Sequence, residues 1–270
     1  MPQALNVVSG RVTNPGATLT ALTANAGDAF TVKSFPFGSK AYILSAWGQE
    51  ATPGVLRIRS ARLHDASQAI RLRVATTTAN PLLSFAAEQP LQPQDALTVE
   101  LSGGAAETDL GAFLVYYDDL PGIAARLISQ QEYLQRVVNI FGAEVAITTG
   151  GTAAQYGGAV ALNATFDTFK RNVDYAWLGI ITDVSIGVVG ITGPDTGQTR
   201  IGMPGISDPY KTRDFWVETD QNNPFACIPV INAANVAATS IDVAATQTAT
   251  AVNVTVILAE LSGGPGGGVV

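Results

Sequence analysis

Along most of this chain apolar and polar residues alternate with a period of two. That spacing turns one face of a strand into a core and leaves the other outside. In the first half the pattern predicts strands at Phe30–Lys33, Ala41–Trp47, Val55–Arg59, Ala69–Val74, Leu82–Ala86, Ala96–Leu101 and Ala112–Tyr117. In the second half it predicts Glu144–Thr148, Ala159–Asn163, Ala176–Ile181, Ile186–Ile191, Phe215–Glu218, Phe225–Val230, Ser240–Val243 and Val252–Ala259. Turn-forming runs lie between them, among them Asn14-Pro15-Gly16, Thr52-Pro53-Gly54, Ser102-Gly103-Gly104, Gly193-Pro194-Asp195 and Ser207-Asp208-Pro209. Seven or eight short strands per half make the chain all-β.

One stretch changes period. After Asp118-Asp119-Leu120-Pro121, the residues Ile123, Leu127, Leu134, Val138 and Phe141 recur at helical spacing. The spacing predicts a helix from about Ala124 to Phe141 that buries Leu127, Leu134 and Val138. Asp119 suits its N-cap, Pro121 its first turn and Gly142 the position after its end. A single helix between two strand-rich halves does not build a βαβ fold, so it reads as a connector over residues 121–143.

The two halves also resemble each other. NPLLSF, from Asn80, opens a run of turn, apolar segment, polar loop, alternating strand and long apolar strand that closes at Leu120; NPFACI, from Asn223, opens the same run and closes at Leu261. Upstream, AYILSAW from Ala41 stands against YAWLGII from Tyr175. The spacing is 134 residues between Ala41 and Tyr175 and 143 between Asn80 and Asn223, with the drift absorbed in loops. Self-similarity of this kind marks two copies of one structural unit. It places Tyr116 opposite Ile257.

Composition adds an interface. Of 270 residues 47% are hydrophobic but only 14% are charged, against about 25% in ordinary soluble domains. Charge is depleted where subunits meet. A net charge of −7 argues against a general nucleic-acid binder. The one cysteine, Cys227, rules out an internal disulfide and reads as a small core residue. No apolar run is long enough for a membrane-spanning helix, and the N-terminus lacks a signal-peptide core, so synthesis in a cytoplasm is expected.

Catalytic chemistry is sparse. The one histidine, His64, cannot fill a multi-histidine metal site, and no zinc motif, nucleophile elbow or phosphate loop is present. Carboxylate pairs drawn from Asp65, Glu88, Asp118 and Asp119 are the only acid–base candidates. Asp118 and Asp119 are better explained as a strand end and a helix cap. No cofactor, metal or catalytic residue is therefore expected. Trp47, Trp177 and Trp216 sit in apolar contexts that suit a core or an interface. Two places suit contacts between subunits. Arg57, Arg59, Arg71 and Arg73 alternate with apolar residues, and on paired strands they would share one face that needs acids or a partner opposite it. The tail from Ser262 is rich in glycine, whose ordering is costly in entropy, so it is expected to touch a neighbouring subunit, the interior of an assembly or a membrane-facing layer, with Val269 and Val270 as apolar anchors.

The NPLLSF and NPFACI blocks, the AYILSAW and YAWLGII blocks and the YYDDLPGI junction together resemble the double jelly-roll major capsid proteins of the tectivirus–adenovirus lineage. The resemblance implies two tandem eight-stranded jelly rolls, at 1–120 and 144–262, joined by one helix and followed by a tail at 263–270. It implies homotrimers that form pseudo-hexagonal capsomers and tile an icosahedral shell. Its implied partners are other copies of the chain, minor capsid and vertex proteins and, in many members, an internal lipid membrane; no specific nucleic acid is among them. The implied location is the virion of a bacteriophage or related virus. The competing expectation is a phage receptor-binding or fibre protein, or a lectin-like β-sandwich, because jelly rolls serve lectins as readily.

Overall fold

The apolar runs pair into antiparallel sheets in a computed structural model that describes residues 2–63, 70–74, 83–84, 90–164 and 169–263. The chain is all-β apart from short helices, and its several sheets are compatible with jelly rolls. The first half supplies β1 (Ala4–Thr13), β2 (Thr20–Ala21), β3 (Ala41–Gln49), β4 (Gly54–Arg59), β5 (Ile70–Val74), β6 (Pro90–Leu91), β7 (Thr98–Ser102) and β8 (Thr108–Tyr117). One sheet runs β1-β8-β3-β6 and the other β2-β7-β4-β5. The second half supplies β9 (Val137–Thr148), β10 (Val160–Ala161), β11 (Asp174–Thr182), β12 (Ile186–Thr192), β13 (Ile201–Gly205), β14 (Ile228–Asn232), β15 (Ser240–Ala244) and β16 (Ala251–Leu261). Its sheets run β9-β16-β11-β14 and β10-β15-β12-β13, the same two orders shifted by one unit. Short pieces at Thr23–Ala24, Leu83–Ser84 and Leu127–Ile128 extend the sheet edges.

The copies share a defect as well as an order. In β3 Leu44 is an extra residue: Ile43 faces Val115 and Ser45 faces Leu114. In β11 Leu178 is an extra residue: Trp177 faces Leu258 and Gly179 faces Ile257. A β-bulge of this kind bends its strand and pins its register. Leu44 and Leu178 keep the spacing of Ala41 and Tyr175, so the AYILSAW match marks equivalent positions. The bulges equate Ile257 with Leu114 and not with Tyr116. A slip of two residues leaves every side chain on its face, so alternation could not detect it. Asn80 lies outside the described residues.

Between the first two sheets Val8, Ile43, Phe113 and Val115 meet Leu56, Ile58, Leu72, Val99 and Leu101. Gly10, Gly111 and Gly48 stand in register across β1, β8 and β3. A Cβ at these positions would run into Phe30, Leu22, Leu56 or Val74, so glycine here lets the facing sheet come close. The opposite face of β1, β3 and β8, with Leu5, Val7, Tyr42, Leu44, Trp47 and Leu114, packs into the core of the second unit. That is why β3 is buried along its whole length.

Several expected elements differ. The connector helix shrinks to α1 (Gln130–Arg136), capped by Ser129, whose side chain accepts from Glu132 N, and not by Asp119. Leu134 and Val138, expected buried, are each 62% exposed. From Val137 on, the β-branched Val137, Val138 and Ile140 join β9, and Gly142 lies within that strand. Eleven positions of ladder with β16 outweigh the helical spacing. Phe215–Glu218 is not a strand but part of α3 (Phe215–Gln221), whose Phe215, Trp216, Thr219 and Asp220 share one buried helical face. It follows a short turn of helix, α2 (Pro209–Thr212). Phe30–Lys33 contributes one bridge, Thr31 to Ala96. The expectation missed β1 entirely, and β13, whose glycines and Pro204 disguise an edge strand.

Candidate assembly surfaces

The two units meet along a seam closed by hydrogen bonds at both ends. Trp47 Nε1 donates to Gly187 O at 2.5 Å, Gln49 Nε2 donates to Ser185 O at 2.8 Å, and Thr246 N donates to Gln49 Oε1 at 3.0 Å. At the other end Val7 N donates to Arg200 O at 2.9 Å and Thr199 Oγ1 to Leu5 O at 3.0 Å. Equivalent ends therefore lie on the same side, and the two units stand side by side pointing the same way. The segment between β13 and β14 also reaches the first unit: Phe225 stacks on Tyr116 and Tyr42, with centroids 4.4 and 5.1 Å away, and Phe215 meets Trp47 edge-on. Arg200 crosses the seam. Its guanidinium reaches Asp28 of the first unit at 3.2 Å and Asp242 of the second at 2.9 Å, and lies 3.6 Å over the Tyr156 ring. Burial pushes both carboxyls up, opposed by hydrogen bonds from Ser9 to Asp28 and by the Arg200 charge on both.

Sequence alternation grouped four arginines, and the strands bring them together. β4 pairs with β5, with Arg57 opposite Arg71 and Val55 opposite Arg73. Leu56, Ile58 and Leu72 turn inward, so the arginines share the outer face. An acid was missed. Glu100 on β7 lies opposite Arg57 and accepts from Arg57 Nε at 2.6 Å, Arg59 Nε at 3.0 Å and Arg59 Nη2 at 3.1 Å. Burial pushes Glu100 up, but these bonds outweigh it and hold its carboxyl below the ordinary range. The alternation in Thr98-Val99-Glu100-Leu101 was the available signal. Arg71 and Arg73 are exposed and make no ion pair among the described residues. Val269 and Val270 lie outside the described residues, as do His64, Asp65 and Glu88. Ser262, at the end of β16, lies beside α1, where Arg136 Nε donates to its carbonyl oxygen at 3.0 Å. Nearby, a further cluster that the sequence did not suggest ties the connector to the second unit: Arg126 donates twice to Asp174, at 2.7 and 2.8 Å, and Asn232 donates to the same carboxylate.

Equivalent strands differ in what covers them. β1 is buried on both faces over most of its length, because the second unit packs on its outside. Its counterpart β9 alternates: Ala143, Val145 and Ile147 are buried while Glu144, Ala146 and Thr148 are exposed. Ile140 on the same outer face is 53% exposed. The other sheets show the reverse. β13 is buried throughout, facing the first unit, whereas its counterpart β5 buries Ile70, Leu72 and Val74 and exposes Arg71 and Arg73. The outer sides of β5 and of β9 are thus open where their equivalents β13 and β1 are covered within the same chain, whereas β11, the counterpart of β3, stays buried because the backbone at Thr212 and Arg213 packs on it. Of the described acids, Glu144, Asp183 and Glu218 are the exposed ones, and Glu144 lies on the open β9 face. Among the described residues no cluster of His, Cys, Asp or Glu is arranged to hold a metal ion.

No protein-family model matches the chain, and no curated protein matches it. Among solved structures it is similar to the crystal structure of the STIV MCP, with 9% identity and a TM-score of 0.20, over 97% of this chain and 88% of that one. At that TM-score the likeness carries no weight for fold or function.

Proposed function

We propose that this chain is a structural, non-enzymatic major capsid protein. Each unit is read as a jelly roll, and the repeated orders β1-β8-β3-β6 with β2-β7-β4-β5, and β9-β16-β11-β14 with β10-β15-β12-β13, support that reading. The observation that carries the function is the burial mismatch between equivalent strands. A face covered in one copy and open in the other is a face awaiting a further copy. Docking the open side of β5 of one chain on the open side of β9 of the next brings together the same pair of strand positions that β13 and β1 occupy at the internal seam. The contact is heterologous, and heterologous contacts close into rings when the rotation allows. Three chains then give a ring of six similar units, a pseudo-hexagonal capsomer able to tile an icosahedral virion shell. Arg71 and Arg73 on one face and Glu144 on the other provide charge of opposite sign. Minor capsid and vertex proteins, and a lipid membrane inside the shell, are the further partners that fit this reading, with synthesis in the host cytoplasm.

Native mass spectrometry and electron microscopy of the purified chain test it. Trimers of pseudo-hexagonal outline, or closed shells, are expected. A monomer at every concentration and salt condition tried, with no ring in micrographs, would overturn it.

A further inference from the structure

At the turn end of the first unit three carboxyl groups converge, and among the described residues no cation pairs with them. Glu50 follows Gln49 at the end of β3, and Asp109 precedes Leu110 in β8. Gln49 and Leu110 are cross-strand partners, so Glu50 and Asp109 are neighbours on the next rung. Both residues are fully buried, and none of their four carboxylate oxygens has a well-aligned hydrogen bond among the described residues; the backbone N–H groups of Gly54 and Ala51 favour ionisation of Glu50 and Asp109 less than burial opposes it, and Glu107 shares a proton with Asp109 rather than supplying a counter-charge. Glu107 comes from the turn before β8 and accepts from Thr52 and from the Gly104 amide. The remaining neighbours are glycines and hydroxyls: Gly54 beside Glu50, and Gly103 beside Asp109 and Glu107, with the end of β7 at Ser102. From the second unit come Ser185, Thr246 and Gln247, which are uncharged.

Like charges opposed on neighbouring strands repel, and buried carboxylates without partners are costly. We propose that Glu50 and Asp109, with Glu107 beside them, form a proton-operated clasp that is closed while the pair is protonated and opens when it ionises. Opening parts the turn after β3 from the turn before β8 and loosens Gln49, which grips Ser185, Thr246 and Gln247 across the seam. Burial, reinforced by the neighbouring acids, pushes Glu50 up to about 9 and Asp109 up to about 7. Both groups bind protons more tightly folded than unfolded. Their contribution to stability is whole in acid, and it is lost as pH rises from the ordinary carboxylate range through about 7 and then about 9. The clasp is a property of the single chain and does not depend on the capsid reading.

Hydrogen exchange of the full chain, corrected for intrinsic exchange rates, tests it between about pH 6 and about pH 9. Wild type should lose protection at residues 50–54, 103–107 and 246–247, by roughly tenfold or more for each pH unit that separates the pair from its ordinary titration. Glu50→Gln and Asp109→Asn, made singly and together, should flatten that dependence and melt higher than wild type at alkaline pH. Protection in wild type that does not change with pH would overturn the clasp. So would alkaline stabilisation by millimolar calcium that vanishes in the variants, because a cation and not a proton would then neutralise the cluster.

Discussion

Single side chains decide how firmly the units are joined. Arg200 holds two buried carboxylates from different units, and removing it strands both. Arg200→Met should cost about 3–5 kcal/mol, read as a lower denaturant midpoint, and Asp28→Asn in that background should recover part of the loss. Trp47 fills the seam and donates to Gly187; Trp47→Ala should cost about 3–5 kcal/mol. Glu100 sets an acid limit. Its carboxyl is held below the ordinary range, so its contribution is present at neutral pH and is lost as pH falls through that lowered value. Glu100→Gln should therefore weaken the fold near neutrality and leave acid unfolding less steep. Denaturation midpoints across pH for the two proteins check this, and parallel curves would refute it. The partnerships of Arg200 and Trp47 could not be read from sequence, whereas that of Glu100 had a signal in the alternation around it. Arg200 and Asp28 are separated by most of the chain, and only the side-by-side placement of the units makes them neighbours.

At the scale of elements, alternation was a faithful guide wherever one sheet face stays out of the core. Val55–Arg59 and Ala69–Val74 were legible because Leu56, Ile58, Ile70 and Leu72 face inward and the arginines outward. It failed where both faces are buried or where pairing overrides local preference. β1 and β13 carry little alternation because the seam covers their outer sides. The connector was misread because Leu127, Leu134 and Val138 recur at helical spacing by accident of a strand beginning at Val137. The correction is testable. Leu134 is on the outside of α1, so Leu134→Asp should change stability by no more than about 0.5 kcal/mol. A cost of several kcal/mol in thermal unfolding would restore the buried helix. Tyr133 is the buried residue of α1, and Tyr133→Ala should be the damaging change there.

For the whole molecule the question is which surfaces remain open once the chain has folded. Arg71→Glu with Arg73→Glu should leave the monomer intact and abolish ring formation. Adding Glu144→Lys should restore it in part, since the reversed charges would meet again. Rings that survive the double arginine change unaltered, in native mass spectra across a salt titration, would remove these residues from the contact. The same picture predicts a limited pH range for the particle, with the Glu100 face weakening in acid and the Glu50–Asp109 clasp in alkali. The arginine face was legible as a cluster in the sequence. What it opposes was not, because that depends on which of two equivalent sheets the chain covers with itself.

The matched bulges at Leu44 and Leu178 bear on ancestry. An insertion that lands on the same rung of the same strand in both halves is most simply inherited once and then copied. On the capsomer proposed above, the progenitor was a single-unit protein that already carried the extra residue, and its rings would have used six identical chains where three would now suffice. Under that proposal, doubling the gene would have turned one of every two contacts between chains into the internal seam, free to acquire Arg200, Trp47 and Gln49, while the other stayed a meeting of separate molecules. Assembly and disassembly of the shell would thereafter be governed by half of the original joints.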